Sequence, residues 1–341
     1  MKALFIGGTG TISTAISQRL LDEGWELYLL NRGSRNNMFS GKAREILCDI
    51  NNEAEAEEKL KGLTFDVAAD FIAFTKDQVE RDFRLLEGRT KQYIFISSAS
   101  AYQKPLSCYR VNEGTPLANP YWQYSRDKIA CEDFLWAMYR EHGFPITIVR
   151  PSHTYDERSV PLGVQGRRGS WQVVKRLLDG KPVIIHGDGT SLWTMTHNSD
   201  FAAAFTGLMG NLQALGEAVQ ITSDETLTWN QIYESIARAL GVELKAVHVS
   251  SEFLALSSSY DFPGGLIGDK ANSLVFDNSK LKRLVPGFTA ALRFDQGIRQ
   301  TISYVLAHPE CQEADPEFDE WCDKVIALRE KAIKELRATM P

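Results

Sequence analysis

Short apolar runs alternate with amphipathic helical segments through the first 150 residues, and this alternation constrains the fold more than any other feature. The runs KALFI at 2–6 and YIFIS at 93–97 have the length and composition of buried strands. Between them lie helical patterns, the first of which places Ile12, Ile16 and Leu20 on one face. Strands and helices in alternation form βαβ units, and right-handed crossovers turn these into a parallel sheet covered on both faces. We therefore predict an α/β fold with a doubly wound parallel sheet.

A glycine-rich turn, GGTGTIS at 7–13, follows the first predicted strand and opens the first predicted helix. Glycines at such a turn let the backbone approach a pyrophosphate, and the helix N-terminus offers free N–H groups to it. Gly7, Gly10, Thr11 and Ile12 are therefore candidate dinucleotide-binding residues of a Rossmann sheet. The alternative is a plain strand–helix turn. The third small position is Ser13, which predicts slightly looser packing of the helix on the strand.

The end of the second predicted strand selects between NAD and NADP. An acidic residue there would bind the ribose 2′-hydroxyl of NAD, but this chain has Asn31, Arg32 and Arg35. Because a guanidinium matches the shape of a phosphate, these residues favour NADP, with NAD as the alternative. The alternative explanation for both arginines is plain surface charge on a loop. Asp49 follows the third strand as a candidate acceptor for the adenine amino group or a solvated carboxylate.

The ends of the predicted strands provide further cofactor-binding candidates, namely Ile50, Phe71 and Pro151.

The pattern of the sequence changes after Pro151. The alternation of strands and helices becomes irregular there, which predicts a smaller, mixed α/β substrate-binding region. The predicted organisation is a dinucleotide-binding core at 1–150 rejoined by 199–222, a substrate-binding region at 151–198 and 223–310, and a solvated C-terminal helix at 311–341.

Composition excludes several classes of protein. The 341 residues are 43% hydrophobic and 24% charged, values typical of globular proteins, and the net charge of −6 disfavours nucleic-acid binding. Five scattered cysteines form no Cys-x-x-Cys pair, and the six histidines lack metal-ligand spacing. No apolar run approaches the roughly 18 residues of a membrane span. We expect a cytoplasmic protein without a metal and without nucleic-acid or membrane partners.

A tyrosine and a lysine four residues apart open the helix predicted at 122–142. Tyr124 and Lys128 lie on one helix face, where an ammonium would lower the pKa of the phenol toward neutrality. Such a tyrosine can act as general acid or base toward an alcohol or ketone. Upstream, the sequence SSASAY at 97–102 ends the fifth strand, at the sheet edge where such folds bind ligands.

With these motifs, the chain resembles the extended short-chain dehydrogenases/reductases, the NAD-dependent epimerase/dehydratase family. The resemblance covers about residues 1–240 and rests on the motifs GGTGTIS, SSASAY, YSRDK, RPSHTYD at 150–156 and GDGTSLWTMTHNSDFA at 187–202. It implies that Tyr124 transfers the proton and that Lys128 holds the nicotinamide ribose. It also implies that Ser98, four residues before Tyr102, hydrogen-bonds the reacting oxygen, with Ser97 and Ser100 as the other choices.

Departures from the family pattern narrow the chemistry. Dehydratases of the family carry Thr-Asp-Glu where this chain has Ser98, Ala99 and Ser100. Ala99 and Ser100 cannot supply the acid and base for water elimination, so a 4,6-dehydratase is disfavoured. Relatives commonly place an arginine that grips a nucleotide diphosphate where this chain has Trp193. Either Arg167 or Arg168 takes over that contact, or the substrate lacks a diphosphate.

Four residues are candidates for substrate contact, namely Ser100, His153, Tyr155 and Trp193. For His153, a purely structural role is an equal alternative. The leading hypothesis is an NADP- or NAD-dependent oxidoreductase, an epimerase or ketoreductase, that acts on a hydroxyl or ketone carbon of a sugar nucleotide or related small molecule. The alternative is a non-catalytic nucleotide-binding or RNA-associated relative. The helix that bears Tyr124 is compatible with a homodimer interface, as in the family.

Overall fold

The computed structural model describes residues 1–33, 38–39, 41–257 and 259–339. The chain divides into two compact units. The first comprises Met1–Thr154, Thr196–Asp224 and Phe276–Ala291. The second comprises Tyr155–Met195, Glu225–Val275 and Leu292–Pro341. Arg35, a predicted cofactor-binding residue, lies outside the described residues.

Strands and helices are numbered in chain order. The strands are β1 (Lys2–Ile6), β2 (Glu26–Asn31), β3 (Arg44–Leu47), β4 (Val67–Asp70), β5 (Tyr93–Ile96), β6 (Arg110–Val111), β7 (Ile146–Pro151), β8 (His153–Tyr155), β9 (Val183–His186), β10 (Leu192–Trp193), β11 (Met195–His197), β12 (Glu217–Ile221), β13 (Leu227–Thr228), β14 (Ala246–Val249) and β15 (Val275–Phe276). The α-helices are α1 (Thr11–Asp22), α2 (Glu53–Leu60), α3 (Lys76–Leu86), α4 (Gln123–His142), α5 (Trp171–Leu178), α6 (Asn198–Leu208), α7 (Trp229–Leu240), α8 (Ser251–Ala255), α9 (Ser279–Leu284), α10 (Phe294–Ala307) and α11 (Pro316–Thr339).

A parallel sheet of seven strands among the described residues forms the centre of the first unit. Its order is β12-β7-β5-β4-β1-β2-β3. Every pairing in it is parallel, with Phe5 opposite Leu29 of β2 and Ala69 of β4. This is the predicted doubly wound Rossmann sheet. The strand β12, in the 199–222 segment that we expect to rejoin the sheet, lies beside β7.

Both faces of the sheet are buried, except at the exposed edge strand β3, because alternate residues of the other strands enter different cores. In β1, Phe5 belongs to one apolar cluster and Leu4 to the other. Ile16 of α1 and Phe205 of α6 pack in the cluster of Phe5, whereas Leu135 of α4 packs in the cluster of Leu4. A strand buried on both faces reads as a continuous apolar run, which is why the sequence predicts these strands well.

The second unit has its own small sheets. Strands β9 and β14 pair in parallel, and β10 pairs with β13 antiparallel. Residues Pro263–Lys270 form a π-helix that the weak periodicity of the sequence did not indicate. None of the described helices is long and apolar enough to cross a membrane.

The C-terminal helix α11 is less exposed than the expectation of a solvated helix implies. Its first half buries Phe318, and the fully buried Arg176 of α5 pairs with Asp319 at 2.7 Å and with Asp323 at 2.7 Å. The Glu- and Lys-rich composition of the last turns obscured this anchored first half. Only the later part of the helix is largely exposed, with Leu336 at 55%.

Candidate active site

The candidate site lies at the carboxyl edge of the parallel sheet. The strand order reverses between β1 and β4, because β2 and β3 continue to one side and β5 and β7 to the other. Open α/β sheets bind ligands in the crevice at such a reversal point. The glycine loop follows β1, and residues 71–74 follow β4 at the same edge.

Neighbouring side chains and the backbone conformation require glycine at the first two glycine positions of the loop. Gly7 has φ +80°, and a Cβ atom there would collide with Ile72. A Cβ atom on Gly8 would collide with Leu29 of β2. These glycines allow the tight turn between β1 and α1 and its close packing on the neighbouring strand.

Gly10 is a glycine for a different reason. Its φ of −90° and ψ of −178° suit any residue, and a Cβ atom there would meet only Ser13 Oγ, at 3.6 Å. None of the described residues therefore excludes a side chain at this position. Thr11 and Ile12, which follow Gly10, begin α1. This arrangement fits the pyrophosphate of a dinucleotide at a helix N-terminus.

Ser13 stands where the fingerprint has its third glycine, and the structure gives it a definite role. Its hydroxyl accepts a hydrogen bond from Gly10 N at 2.8 Å and donates to Gly7 O at 3.0 Å. The buried Ser17 donates to Gly8 O at 3.0 Å. These bonds hold the loop internally. Ser13 itself is buried, at 1% exposure, and the looser packing of α1 on β1 stays a prediction.

The end of β2 presents an exposed cation. Asn31 Oδ1 accepts a hydrogen bond from Gly33 N at 2.9 Å, which shapes the turn. The side chain of Arg32 is exposed beside it. Asp49 is also exposed and accepts from Asn51 N at 3.0 Å.

The other predicted cofactor-binding residues also lie at strand ends of the first unit. Ile50 is buried after β3, and Pro151 is buried as the last residue of β7. Phe71 follows β4, and its ring packs edge-on against Phe5 at 5.0 Å between centroids. The structure thus brings the sequence-predicted residues that it describes to one edge of the sheet.

Lys128 is the most constrained residue of the candidate site. Its ammonium is buried and donates to Ala73 O at 2.6 Å and to Ile96 O at 2.7 Å. The ring of Phe74 lies 4.6 Å from Nζ, and the ring of Tyr124 lies 5.8 Å from it. Burial lowers the pKa of Lys128 to about 8. The helix α4 therefore holds a buried cation against the segment that follows β4 and the end of β5.

Tyr124 lies in the first turn of α4, one turn before Lys128. The ring is partly exposed and packs against Trp122 at 4.9 Å and Phe74 at 6.3 Å between centroids. These aromatic contacts position the ring where α4 begins, at the ligand-binding edge of the sheet. The predicted pair of Tyr124 and Lys128 on one helix face is thus present.

Ser98 and Ser100 lie after β5 and contact each other. Ser98 caps a short 3₁₀ turn, Ala99–Ala101, and its Oγ accepts from Ser100 N at 3.1 Å. The two hydroxyls are 2.9 Å apart. Ser100 is buried and also accepts a hydrogen bond from Ser125 of α4 at 2.8 Å. Ser100, predicted as a substrate contact, is therefore engaged by its own chain, while Ser98 is partly exposed.

Two features of this site were missed by the sequence reasoning. Ser125 follows Tyr124 directly, and only its place in the YSRDK motif could have drawn attention to it. Asn119 donates to Ser125 Oγ at 3.2 Å and to Ser100 O at 2.9 Å. No sequence signal identifies Asn119, since it lies in the loop before α4.

A buried network of ion pairs contacts the loop that follows β4, and the sequence did not predict this network. Arg81 of α3 bonds Asp70 at 3.2 Å and Asp82 at 2.7 Å. Asp70 in turn accepts hydrogen bonds from Ile72 N at 2.5 Å and Ala73 N at 2.8 Å. Burial, with the neighbouring Asp82 carboxylate, raises the pKa of Asp70 well above its usual range. The network fixes the loop that supplies Ala73 O to Lys128.

The remaining substrate candidates are divided between the two units. His153 belongs to the first unit and is partly exposed. Tyr155 and Trp193 belong to the second unit, where Tyr155 packs edge-on against Phe294 at 5.5 Å. Trp193 is buried at 4% exposure, 5.8 Å from the ring of Trp229.

The two arginines considered as substitutes for a diphosphate-binding arginine lie in the second unit and contact their own chain. Arg167 donates to Ser259 O at 2.6 Å, and Arg168 donates to Ala314 O at 3.5 Å. Within the described parts of the chain, no group of three or more His, Cys, Asp or Glu side chains could hold a metal ion.

Comparison with known sequences shows which proteins share these features. The family described as the NAD dependent epimerase/dehydratase family matches residues 3–222. The 2′-dehydrokanamycin reductase of Streptomyces kanamyceticus is 24% identical over 299 residues, covering 84% of this chain and 80% of that protein. The chloroplast stem-loop binding protein of 41 kDa b from Arabidopsis thaliana is 25% identical over 276 residues, covering 77% and 69%.

Solved structures share the fold. The dTDP-glucose 4,6-dehydratase of Bacillus anthracis, solved in complex with NAD, superposes with a TM-score of 0.71 at 18% identity. The match covers 91% of this chain and 98% of that one. At 18% identity, this similarity shows a shared fold and nothing further.

Proposed function

The chain belongs to the NAD-dependent epimerase/dehydratase family, and we propose that it is an NADP- or NAD-dependent oxidoreductase acting on a hydroxyl or ketone carbon of a sugar-derived small molecule. The observation that supports this proposal is that the Lys128 ammonium lies 5.8 Å from the centre of the Tyr124 ring on α4, while Ser98 follows β5 at the sheet edge where the glycine loop follows β1. A partly exposed phenol, a buried ammonium and a partly exposed hydroxyl are the groups that carbonyl reduction needs.

The residues around the sheet edge fit a dinucleotide. Gly10, Thr11 and Ile12 would hold the pyrophosphate, and Arg32 would contact a 2′-phosphate on the adenosine ribose. Asp49 and Ile50 would hold the adenine, with Phe71 and Pro151 bordering the site. When bound, the cofactor supplies or accepts a hydride at the substrate carbon. Arg32, with no acidic residue beside it at the end of β2, favours NADP.

The proton chemistry belongs to Tyr124. In the direction of reduction, Tyr124 donates its phenolic proton to the ketone oxygen as that oxygen gains charge, and in oxidation it removes the same proton. Lys128 places a positive charge near the phenol and stabilises the phenolate that remains after transfer. Ser98 donates a hydrogen bond to the same oxygen and holds it in position.

The site favours a reductase or an epimerase over a 4,6-dehydratase. Ala99 offers no acid or base, and the Ser100 hydroxyl is bonded to Ser98 and Ser125. The engagement of Arg167 and Arg168 with their own chain, with Trp193 in place of an arginine, favours a substrate without a diphosphate. The named activity of the Streptomyces relative, a reductase of a kanamycin ketone, is consistent with such a substrate.

A substrate screen tests the proposal. The purified protein is mixed with NADPH or NADH and with 2′-dehydrokanamycin, cyclohexanone, UDP-glucose or UDP-glucuronic acid, and nicotinamide absorbance and product formation are followed. Turnover of at least one compound by the parent, with loss of turnover in Tyr124→Phe, supports the proposal. Equal turnover in both proteins contradicts the assignment of Tyr124.

The alternative, a non-catalytic RNA-associated protein, has one relative on its side, the match to a stem-loop binding protein, but the family and the other relatives do not favour it. In that case the protein binds a structured RNA and turns over no carbonyl compound. A gel-shift titration with an RNA stem-loop, run beside the substrate screen, separates the two functions.

A further inference from the structure

A chain of hydrogen bonds runs from Asn119 through Ser125 and Ser100 to Ser98, and neighbouring groups determine its direction. The four side chains come from the loop before α4, from α4 and from the turn after β5. Ser100 and Ser125 are buried, and Asn119 is 3% exposed, so water does not compete for these bonds.

The chain of hydrogen bonds begins at the side-chain amide of Asn119, whose orientation is fixed by its neighbours. Its Oδ1 accepts from Tyr121 N at 3.1 Å, and a backbone N–H can only donate. Its Nδ2 faces Ser100 O at 2.9 Å, and a carbonyl can only accept. The amide cannot be flipped without losing both bonds, so Nδ2 donates to Ser125 Oγ at 3.2 Å.

Ser125 and Ser100 pass this direction on. Ser125 Oγ accepts from the amide and donates its hydrogen to Ser100 Oγ at 2.8 Å. Ser100 Oγ thereby accepts a hydrogen bond and lies 2.9 Å from Ser98 Oγ, a distance at which either hydroxyl could donate. If Ser98 donated, the hydrogen of the buried Ser100 would have no acceptor among the described hydrogen bonds, and an unsatisfied buried donor is costly. We therefore assign Ser100 as the donor to Ser98.

The end of the chain is Ser98, whose oxygen has two acceptor lone pairs. One accepts from Ser100 N at 3.1 Å and the other from the Ser100 hydroxyl at 2.9 Å. With both lone pairs engaged, Ser98 can bind a further oxygen only by donating its hydrogen.

We propose that Asn119, Ser125 and Ser100 are positioning residues that make Ser98 an obligate hydrogen-bond donor to the reacting oxygen. This inference rests on the proposed function. Of Tyr124 and Ser98, only Tyr124 then exchanges a proton with the substrate. Ser100 orients Ser98 instead of contacting the substrate.

The test compares Ser125→Ala with Ser125→Thr, using the carbonyl compound that the parent turns over in the screen. Ser125→Ala removes the donor to Ser100, so that Ser98 can turn its hydrogen toward Ser100 and away from the substrate. We expect kcat to fall about 5- to 50-fold, the effect of losing one hydrogen bond in the transition state. Ser125→Thr keeps the hydroxyl and should restore kcat to near the parental value.

Two further variants keep the test independent of folding. Thr301→Val removes another buried hydroxyl bond, from Thr301 to Asp156 O in the second unit, and should lower the melting temperature without changing kcat. Asn119→Asp replaces the donor by an acceptor at neutral pH. Its kcat should recover as pH falls and the carboxyl is protonated, whereas the parent should show no such recovery.

The outcomes separate the inference from the proposed function. A lowered kcat in Ser125→Ala with unchanged NADPH affinity, restored in Ser125→Thr, supports the inference. If kcat in Ser125→Ala is parental, or if NADPH affinity and melting temperature fall in proportion to it, the inference is overturned while the oxidoreductase proposal stands. A parent protein that turns over no carbonyl compound overturns the proposed function, and with it the role proposed for the chain of hydrogen bonds.

Discussion

The Lys128 ammonium lies 5.8 Å from the centre of the Tyr124 ring while it donates hydrogen bonds to Ala73 O and Ile96 O. The chain itself thus ties the cation to the segment that follows β4 and to the last residue of β5. Its charge is near the phenol, but its hydrogen bonds go to the backbone. The two side chains therefore have separable roles, which substitutions can distinguish.

Replacement of Tyr124 by phenylalanine removes only the phenolic oxygen. The ring packs against Trp122 and Phe74, so the fold and the NADPH affinity should persist. We expect turnover to fall by roughly 10²–10⁴, the usual range for loss of a positioned acid or base. Steady-state kinetics and calorimetric NADPH binding on the same preparation check this. Parental turnover in the variant would show that another group moves the proton.

Lys128 predicts a pH dependence of stability. Burial lowers its pKa in the folded protein to about 8, from 10.5 in an exposed lysine, so the unfolded chain holds one more proton between those values. Its contribution to the free energy of unfolding should therefore rise as pH increases from 8 to 10.5, by at most about 1.4 kcal/mol per pH unit.

The variant Lys128→Met should lack this rise, and urea unfolding of both proteins across the same pH range measures the difference. The unfolded-state charge of the other residues is common to both and cancels. A constant difference in the free energy of unfolding between the two proteins would show that Lys128 titrates normally.

Arg32→Ala tests cofactor selection. If the guanidinium contacts a 2′-phosphate, its loss should weaken NADPH binding by about 1–3 kcal/mol, the scale of a charge-assisted hydrogen bond. NADH binding should change little, because NADH has a hydroxyl at that position. Titration calorimetry of parent and variant with both nucleotides decides this. A parent that binds NADH as tightly as NADPH speaks against the NADP preference.

The glycine loop gives a matched pair of variants. Gly10→Val places a side chain where the backbone angles allow it and only Ser13 Oγ is near, so the melting temperature should stay close to parental. NADPH affinity should fall roughly tenfold or more, about 1.4 kcal/mol, since the side chain occupies the ligand space.

Gly7→Ala is the control for that result. At φ +80°, with Ile72 in the way, alanine should destabilise the fold by about 1–3 kcal/mol or more. Gly10→Val should thus weaken NADPH binding, whereas Gly7→Ala should lower the stability of the fold. A Gly10→Val protein that binds NADPH normally would place the pyrophosphate elsewhere.

The sheet was predictable because its strands other than β3 are buried on both faces and appear in the sequence as apolar runs. The pair of Tyr124 and Lys128 was also predictable, since four-residue spacing on a helix is a local property. The orientation of Ser98 was not, because it depends on Asn119 and Ser125, which only the folded chain brings near Ser100. The anchoring of α11 by Arg176 was missed for the same reason: its partners are more than 140 residues away in sequence.

The hydrogen bonds of Ser13 have a consequence for the thermodynamics of ligand binding. Its hydroxyl joins Gly10 N to Gly7 O, so the loop has its turn conformation enforced from within. A loop that is already ordered loses little conformational entropy when a nucleotide arrives. Ser13→Gly should therefore make association entropically less favourable while leaving the contacts to the nucleotide unchanged, so the hydroxyl at this position replaces close glycine packing with preorganisation.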